Sequence, residues 1–337
     1  MLRATTILAI SLSIVVAACG SKEPATPSDS VQNVPGENGV RDNVKKASEP
    51  TVADFPAADG ATLQELADKM AAGPELALAS SVFTSPGENR MAFGMINTDG
   101  TPVYGATAVY VAPTPTDEAE GPFVAPADVL LTEKRYRSKQ AATTADPFVA
   151  VYGADVKFAK NGQYAVLATT KKPDGTLTGA TGQVNVSTQK ADPIPAVGEK
   201  APKVHTDTVE TAKGDIGAID TRIPPSDMHD VDFADVVGKK PVALLFSTPQ
   251  LCQSRVCGPV TDMELQMKSK YGDQMTFIHQ EVYVDNDINK GLRPPLKEFN
   301  LPSEPWLFVV GGDGKITSRM EGSFGIKAFE RAVNTAL

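Results

Sequence analysis

The chain has 337 residues, 41% hydrophobic and 22% charged, enough to bury a sizeable core, and its length suggests about two domains. The 41 acidic and 32 basic residues leave a formal charge of −9, which argues against a nucleic-acid surface, since that needs a basic face to neutralise phosphates. Three cysteines cannot build a disulfide scaffold, three histidines leave little material for a histidine metal cluster, and the glycines and prolines are too scattered for a collagen-like or wholly disordered chain.

Residues 1–18 read as a signal peptide: Arg3 supplies a positive charge, Thr6 to Ala18 is apolar and small, and the run is too short to span a bilayer comfortably. Its exit, Val16-Ala17-Ala18-Cys19-Gly20, resembles the lipobox of bacterial lipoproteins. That resemblance implies lipidation of Cys19, with acyl chains anchoring an extracytoplasmic protein to the cell membrane or outer membrane. Two such chains bury enough methylenes for stable anchoring, at about 0.8 kcal/mol each. An ordinary signal peptide with an incidental cysteine is the alternative. Residues 19–60 carry Pro24, Pro27, Pro35, Pro50 and Pro56 among polar residues with no surviving period, and are expected to form a flexible tether spanning about 35 Å.

Residues 61–190 are expected to fold as a small antiparallel β-sandwich. Leu63, Leu66 and Met70 predict a helix over 61–72. Strands follow at 91–96, 107–111, 147–158, 163–170 and 184–186, with Asp99-Gly100 and Asp174-Gly175 marking turns and a proline-rich loop over 113–126. Asn161-Gly-Gln-Tyr164 weakly resembles the penultimate-strand signature of immunoglobulin-like domains. Tyr104, Tyr110, Tyr152 and Tyr164 are expected as core or interface aromatics rather than a ligand box.

A linker at 191–196 precedes a region, 197–337, with a sharper pattern. Val242-Ala-Leu-Leu-Phe246 is an apolar run bounded by prolines, expected as a buried parallel strand. Cys252 and Cys257 come next, then a helix with Val260, Met263, Met267 and Tyr271 on one stripe. Further strands are expected at 275–284, 306–310 and 315–319, a hairpin turn at Gly311-Gly-Asp-Gly314, and helices at 296–300 and 329–337.

This order, with a cysteine pair after the first strand and Ser303-Glu304-Pro305-Trp306 before a late one, resembles the thioredoxin fold. Gly198-Glu-Lys-Ala-Pro202 and Gly238-Lys-Lys-Pro241 resemble its extracytoplasmic thioredoxin-like and peroxiredoxin-like branch. The resemblance implies a C-terminal α/β thioredoxin-like domain in which Glu304 and Pro305 form the cis-proline loop that docks substrate. It implies thiol-disulfide exchange with exported client proteins, with no cofactor and no metal ion. Such chemistry needs one cysteine made reactive and a second to resolve the mixed disulfide. A helix N-terminus and Arg255 would favour a thiolate here. Position relative to the strand assigns Cys252 as nucleophile and Cys257 as resolver, although Cys257-Gly258-Pro259 would also suit the reverse.

The departures are specific. Four residues separate the cysteines where thioredoxins have two; on a continuous helix they would sit about 140° apart and too far to bridge, so Cys252 is expected in a loop before the helix. The family's tryptophan and buried carboxylate have no counterparts, and Glu304 would oppose a nearby thiolate. A peroxidase would need a threonine three residues before its cysteine, where Pro249 stands. A copper-delivery relative would need cysteines three apart and a distal histidine, which His205, His229 and His279 do not match. His279 is expected as a satisfied strand residue, and Asp230, Asp232 and Asp235 as a solvated loop. The competing class is a non-enzymatic binding lipoprotein whose thioredoxin-like scaffold carries a structural disulfide.

Overall fold

The computed structural model describes residues 30–141, 148–252 and 256–337. The expected signal peptide, Cys19, the first part of the expected tether, Pro147 and Arg255 lie outside them. Among the described residues no helix is long and apolar enough to cross a membrane.

The stretch expected to be a tether as far as residue 60 is packed from Ser30 onward. Helix α1 (Val40–Ala47) buries Val44 and Ala47, and Val31 and Val34 join them in the main apolar cluster. The Pro56 carbonyl accepts from the Tyr110 hydroxyl at 2.6 Å, and Lys171 pairs with Asp54 at 3.0 Å. Scattered single apolar residues with no period do the anchoring, which is why composition read this segment as coil.

Helix α2 (Leu63–Ala67) is shorter than expected and opens on a capping box between Thr62 and Glu65. Ten strands follow: β1 (Ala71–Ala72), β2 (Glu75–Leu78), β3 (Phe83–Ser85), β4 (Gly87–Ile96), β5 (Ala106–Ala112), β6 (Glu120–Val124), β7 (Ala127–Val129), β8 (Ala150–Phe158), β9 (Gly162–Lys171) and β10 (Leu177–Thr188). They form two sheets, one in the order β1-β10-β9-β5-β6 with β3 also on β10, the other β2-β4-β8-β7. β1 and β3 pair with β10 in parallel, so the first sheet is mixed rather than wholly antiparallel. β6 lies inside the segment expected to be a proline-rich loop. Tyr110, Tyr152 and Tyr164 are buried.

In the C-terminal half, β11 (Val242–Phe246), β12 (Thr276–Gln280), β13 (Trp306–Val310) and β14 (Ile316–Glu321) form one sheet in the order β12-β11-β13-β14. β11 and β12 are parallel, joined through α4 (Cys257–Tyr271); β13 is antiparallel to β11 and forms a hairpin with β14. Two short helices, α3 (Phe233–Val236) and α5 (Pro294–Glu298), and the terminal α6 (Ile326–Asn334) complete it. This strand–helix–strand, hairpin, helix arrangement is thioredoxin-like. β11 is buried on both faces: Val242, Leu244 and Phe246 pack with Phe299 and Phe308, while Ala243 and Leu245 face the cluster containing Val260, Met263 and Phe329.

That second cluster also contains Met91, Phe93, Val109 and Val166, so the two halves share one apolar core. The residues expected to be a free linker are held down as well: Ile194 is buried, and Asp192 pairs with Arg319 at 2.6 Å. Asp128 of β7 accepts from the backbone N–H groups of Lys327 and Ala328 at the start of α6, so one half caps a helix of the other.

Candidate functional site

β11 ends at Phe246, and the chain turns through Ser247–Leu251 to Cys252, whose N–H donates to the Thr248 carbonyl at 3.2 Å. α4 begins at Cys257, so Cys252 lies in the loop before the helix and Cys257 in its first turn. The pair is present as thiols, with Cys257 in hydrogen-bond contact with Cys252. Four intervening residues are therefore compatible with a bridgeable pair because the helix starts only at the second cysteine.

The two thiols differ in access. Cys252 retains 9% of its surface and Cys257 none. Burial, then the contact with Cys252, raises the Cys257 pKa well above the ordinary thiol value. The N-terminal half packs on the same first turn of α4. Ser138 donates through its N–H and hydroxyl to Asp262 Oδ2 at 2.9 and 3.1 Å. Gln140 reaches the Thr221 carbonyl and accepts from the Ile223 N–H. Its own carbonyl presses so close to α4 that a Cβ on Gly258 would stand 2.2 Å from it.

The Glu304–Pro305 peptide is cis and sits beside the pair. The loop is fixed from several sides: Gly322 N–H donates to the Pro305 carbonyl at 2.8 Å, and Trp306 Nε1 donates to Ser303 Oγ at 3.1 Å. Glu321 accepts from Ser303 Oγ and from the N–H groups of Ser81 and Val82, which ties the loop to the N-terminal half. A groove of about 450 Å³ runs there, lined by Ser80, Phe83, Val184, Ser303, Glu304 and Gly322 among others.

Burial raises the Glu304 pKa, and the charge of Cys252 adds to it. The carboxyl thus stays protonated to a higher pH than an ordinary glutamate, which softens the opposition to a thiolate that the sequence implied. Tyr283, which sequence reasoning did not single out, lies 3.4 Å from Glu304 Oε1 through its hydroxyl. Its own pKa is raised by burial and by Glu304. No local sequence signal marks it, because it joins the site through the loop after β12.

Of the acidic residues expected to be a solvated loop, Asp232 caps α3 through the Ala234 N–H and holds His205 at 2.6 Å. His279 lies on β12 as expected, but His229 is brought against it, their ring centroids 5.2 Å apart.

No family model matches this chain, and no curated protein does. Among solved structures, it is similar to a thiol:disulfide interchange protein of the DsbE type from Chlorobium tepidum, at 16% identity and a TM-score of 0.31, covering 42% of this chain and 98% of that one. A thioredoxin-family thiol:disulfide interchange protein from Chlorobium tepidum TLS is 18% identical at a TM-score of 0.29, with 43% and 97% covered. DsbF of MTB is 18% identical at 0.27, with 40% and 96% covered. The thioredoxin-like description of the C-terminal half stands on the strand order and helix placement of this chain.

Proposed function

We propose that this chain exchanges thiols and disulfides with exported proteins through Cys252 and Cys257, held at a membrane by acyl chains on Cys19. One observation carries the reading: two thiols in contact at the start of α4, beside a cis Glu304–Pro305 loop, with unequal access. Cys252, the less buried member, would attack a client disulfide as thiolate, forming a mixed disulfide and releasing one client thiolate. Cys257 would then give up its proton and attack Cys252 Sγ. The client's second sulfur leaves as thiolate, so two electrons pass to the client and the pair becomes a disulfide. Oxidation of a client is the same sequence reversed. The proton of Cys257 passes to the client thiolate released in the first step, and Glu304, whose pKa is raised by burial, stays protonated to a higher pH and so opposes the thiolate less. An extended client segment would lie against the Pro305 loop, with the N-terminal half as one wall of its path. Immunoglobulin-like character for that half, as a spacer or client-recruiting module, belongs to the same proposal.

The test is trapping. Cys257→Ser should accumulate mixed disulfides with exported proteins, and Cys252→Ser should accumulate none. The opposite pattern would exchange the two roles. If neither variant traps and the pair resists reduction below about −300 mV, the disulfide is structural and the protein a binding lipoprotein. Loss of acyl labelling and membrane release in Cys19→Ser tests the anchor separately.

A further inference from the structure

Three buried side chains, Asp220, His229 and His279, converge, and the buried Glu264 lies within electrostatic reach of Asp220 and His279. Asp220 follows a turn of 3-10 helix at Ile216–Ala218, His229 lies in the approach to α3, His279 is on β12, and Glu264 is on α4. Asp220 is 2% exposed and the other three are fully buried. His229 Nε2 lies 3.2 Å from Asp220 Oδ2, and His279 Nδ1 lies 3.7 Å from Asp220 Oδ1. One donor atom from each of these three residues falls within 4.8 Å of the other two.

The hydrogen bonds around the cluster orient it outward-in. His279 Nε2 is 3.0 Å from the Ser247 carbonyl, which only accepts, so Nε2 carries a hydrogen. Nδ1 faces Asp220, and a metal ligand there must first give up any proton that Nδ1 carries. A histidine whose far nitrogen donates to a backbone carbonyl is the usual outer support of a metal ligand. Asp220 is steadied in the same way by N–H groups of Arg222 and Ser226 and by the Ser226 hydroxyl, at 2.8, 2.7 and 2.8 Å. Within the cluster His279 Nδ1 has no hydrogen bond and meets Asp220 Oδ1 at 3.7 Å, and His229 Nδ1 and both carboxyl oxygens of Glu264 are also buried with no hydrogen bond. A buried polar group without a partner costs roughly 1–3 kcal/mol, and a carboxylate more. An ion shared by the two rings and Asp220 would occupy His279 Nδ1.

We propose that Asp220, His229 and His279 form a binding site for a divalent transition-metal ion of the zinc class. Two imidazoles and a carboxylate are a borderline donor set, favouring zinc and its neighbours over calcium or magnesium, which take oxygen alone. Ligands about 2.0–2.2 Å from a tetrahedral ion are spaced roughly 3.3–3.5 Å apart. The 3.2 and 3.7 Å separations bracket that spacing, so small ring movements suffice. Asp220, with Glu264 in electrostatic reach, offsets the ion's charge in a dry pocket. The alternative occupant is a proton: His279 loses basicity to burial but Asp220 more than restores it, raising its pKa to about 9, while burial pushes Glu264 well above the ordinary carboxyl value. Three protein ligands would clamp the 220–229 segment to β12 and leave a fourth position for a small exogenous ligand. Ser247, one residue before the Thr248 that holds Cys252, touches it directly.

The test uses the full chain with every free thiol among its three cysteines alkylated, so that thiols cannot supply the ligands. After stripping with a chelator, zinc titrated against a competing indicator should bind one ion per chain. His279→Gln and His229→Gln should each weaken that binding by at least about a hundredfold, more than the roughly 10–100-fold typical of losing an outer partner. Because either variant could unfold, X-ray absorption on zinc-loaded, alkylated wild type gives an independent readout, expected to show nitrogen and oxygen neighbours only. Failure of the alkylated wild type to take up zinc at micromolar free metal overturns the proposal, and so does uptake that both histidine variants retain.

Discussion

Gly258→Ala is a substitution whose sign is informative. Gly258 is the second residue of α4, and alanine inside a helix is favoured over glycine by about 1 kcal/mol, somewhat less in the first turn. On local grounds the variant should be a few tenths of a kcal/mol more stable. The structure demands the reverse. An added Cβ would lie 2.2 Å from the Gln140 carbonyl oxygen and 2.8 Å from Gln140 Cβ, and the first of these is backbone that cannot swing aside. Forcing a methyl into a filled site costs roughly 1–3 kcal/mol. If the 138–140 segment lifts instead, the contacts of Ser138 with Asp262 and of Gln140 with Thr221 and Ile223 are at risk, at about 0.5–1.5 kcal/mol each. We expect net destabilisation of about 1–3 kcal/mol in urea unfolding followed through Trp306, the single tryptophan. Iodoacetamide labelling of Cys257, mapped by mass spectrometry, should accelerate at least about tenfold, because the displaced segment packs on the adjacent Gly258 and loosens the first turn of α4. A variant as stable as wild type, with Cys257 labelled no faster, would refute the packing of the N-terminal half over the start of α4.

Three further outcomes follow from the same coordinates. Glu304→Gln removes a carboxyl whose pKa is raised by burial and by Cys252; since its ionisation places a second negative charge beside the thiolate as pH rises, the neutral amide should let Cys252 alkylate faster, with the largest gain above the carboxyl's raised pKa, and an unchanged pH–rate profile would separate Glu304 from the thiol. Asp128→Ala strips two N–H partners from the start of α6 and should cost about 1–2 kcal/mol in chemical unfolding; a loss under a few tenths would mean water replaces the cap. A fragment of residues 197–337 leaves α4 and α6 without the N-terminal pieces that pack on them, the turn at Lys134–Tyr136 and β7, so it should bind an apolar dye that the full chain does not; a dye-silent, cooperatively folding fragment would show that the halves are independent.

What the sequence made legible is what repeats locally. Val242–Phe246 was readable to the residue because five apolar side chains between prolines have few alternatives, and the Gly311–Gly314 turn and Glu304–Pro305 loop carry their own chemistry. The first two turns of α4 were not. A stripe of Val260, Met263 and Met267 predicts one buried face, yet Thr261, Asp262, Glu264 and Gln266 are buried too. Those residues are covered by partners distant in sequence, such as Ser138 and Arg222, and no periodicity encodes a partner. The same blindness hid the Asp220, His229 and His279 cluster, whose members stand alone in sequence and meet only when β12 pairs with β11 and the preceding segment folds back on it.

The setting of the two thiols therefore does not come from the thioredoxin-like half alone. Its topology delivers Cys252 and Cys257 to the end of β11 and brings the Pro305 loop beside them. The N-terminal half packs on Gly258, beside Cys257, through Gln140, and clasps the proline loop through Ser81 and Val82, which hold Glu321. Gly322 shows how tight that clasp is: its φ of +70° suits glycine, and a Cβ there would lie 1.7 Å from the Ala79 carbonyl oxygen. A spacer would need no such contacts. Under the proposed exchange they would make both the groove beside the Pro305 loop and the first turn of α4 depend on the joined pair. Any shift between the halves would act on both at once.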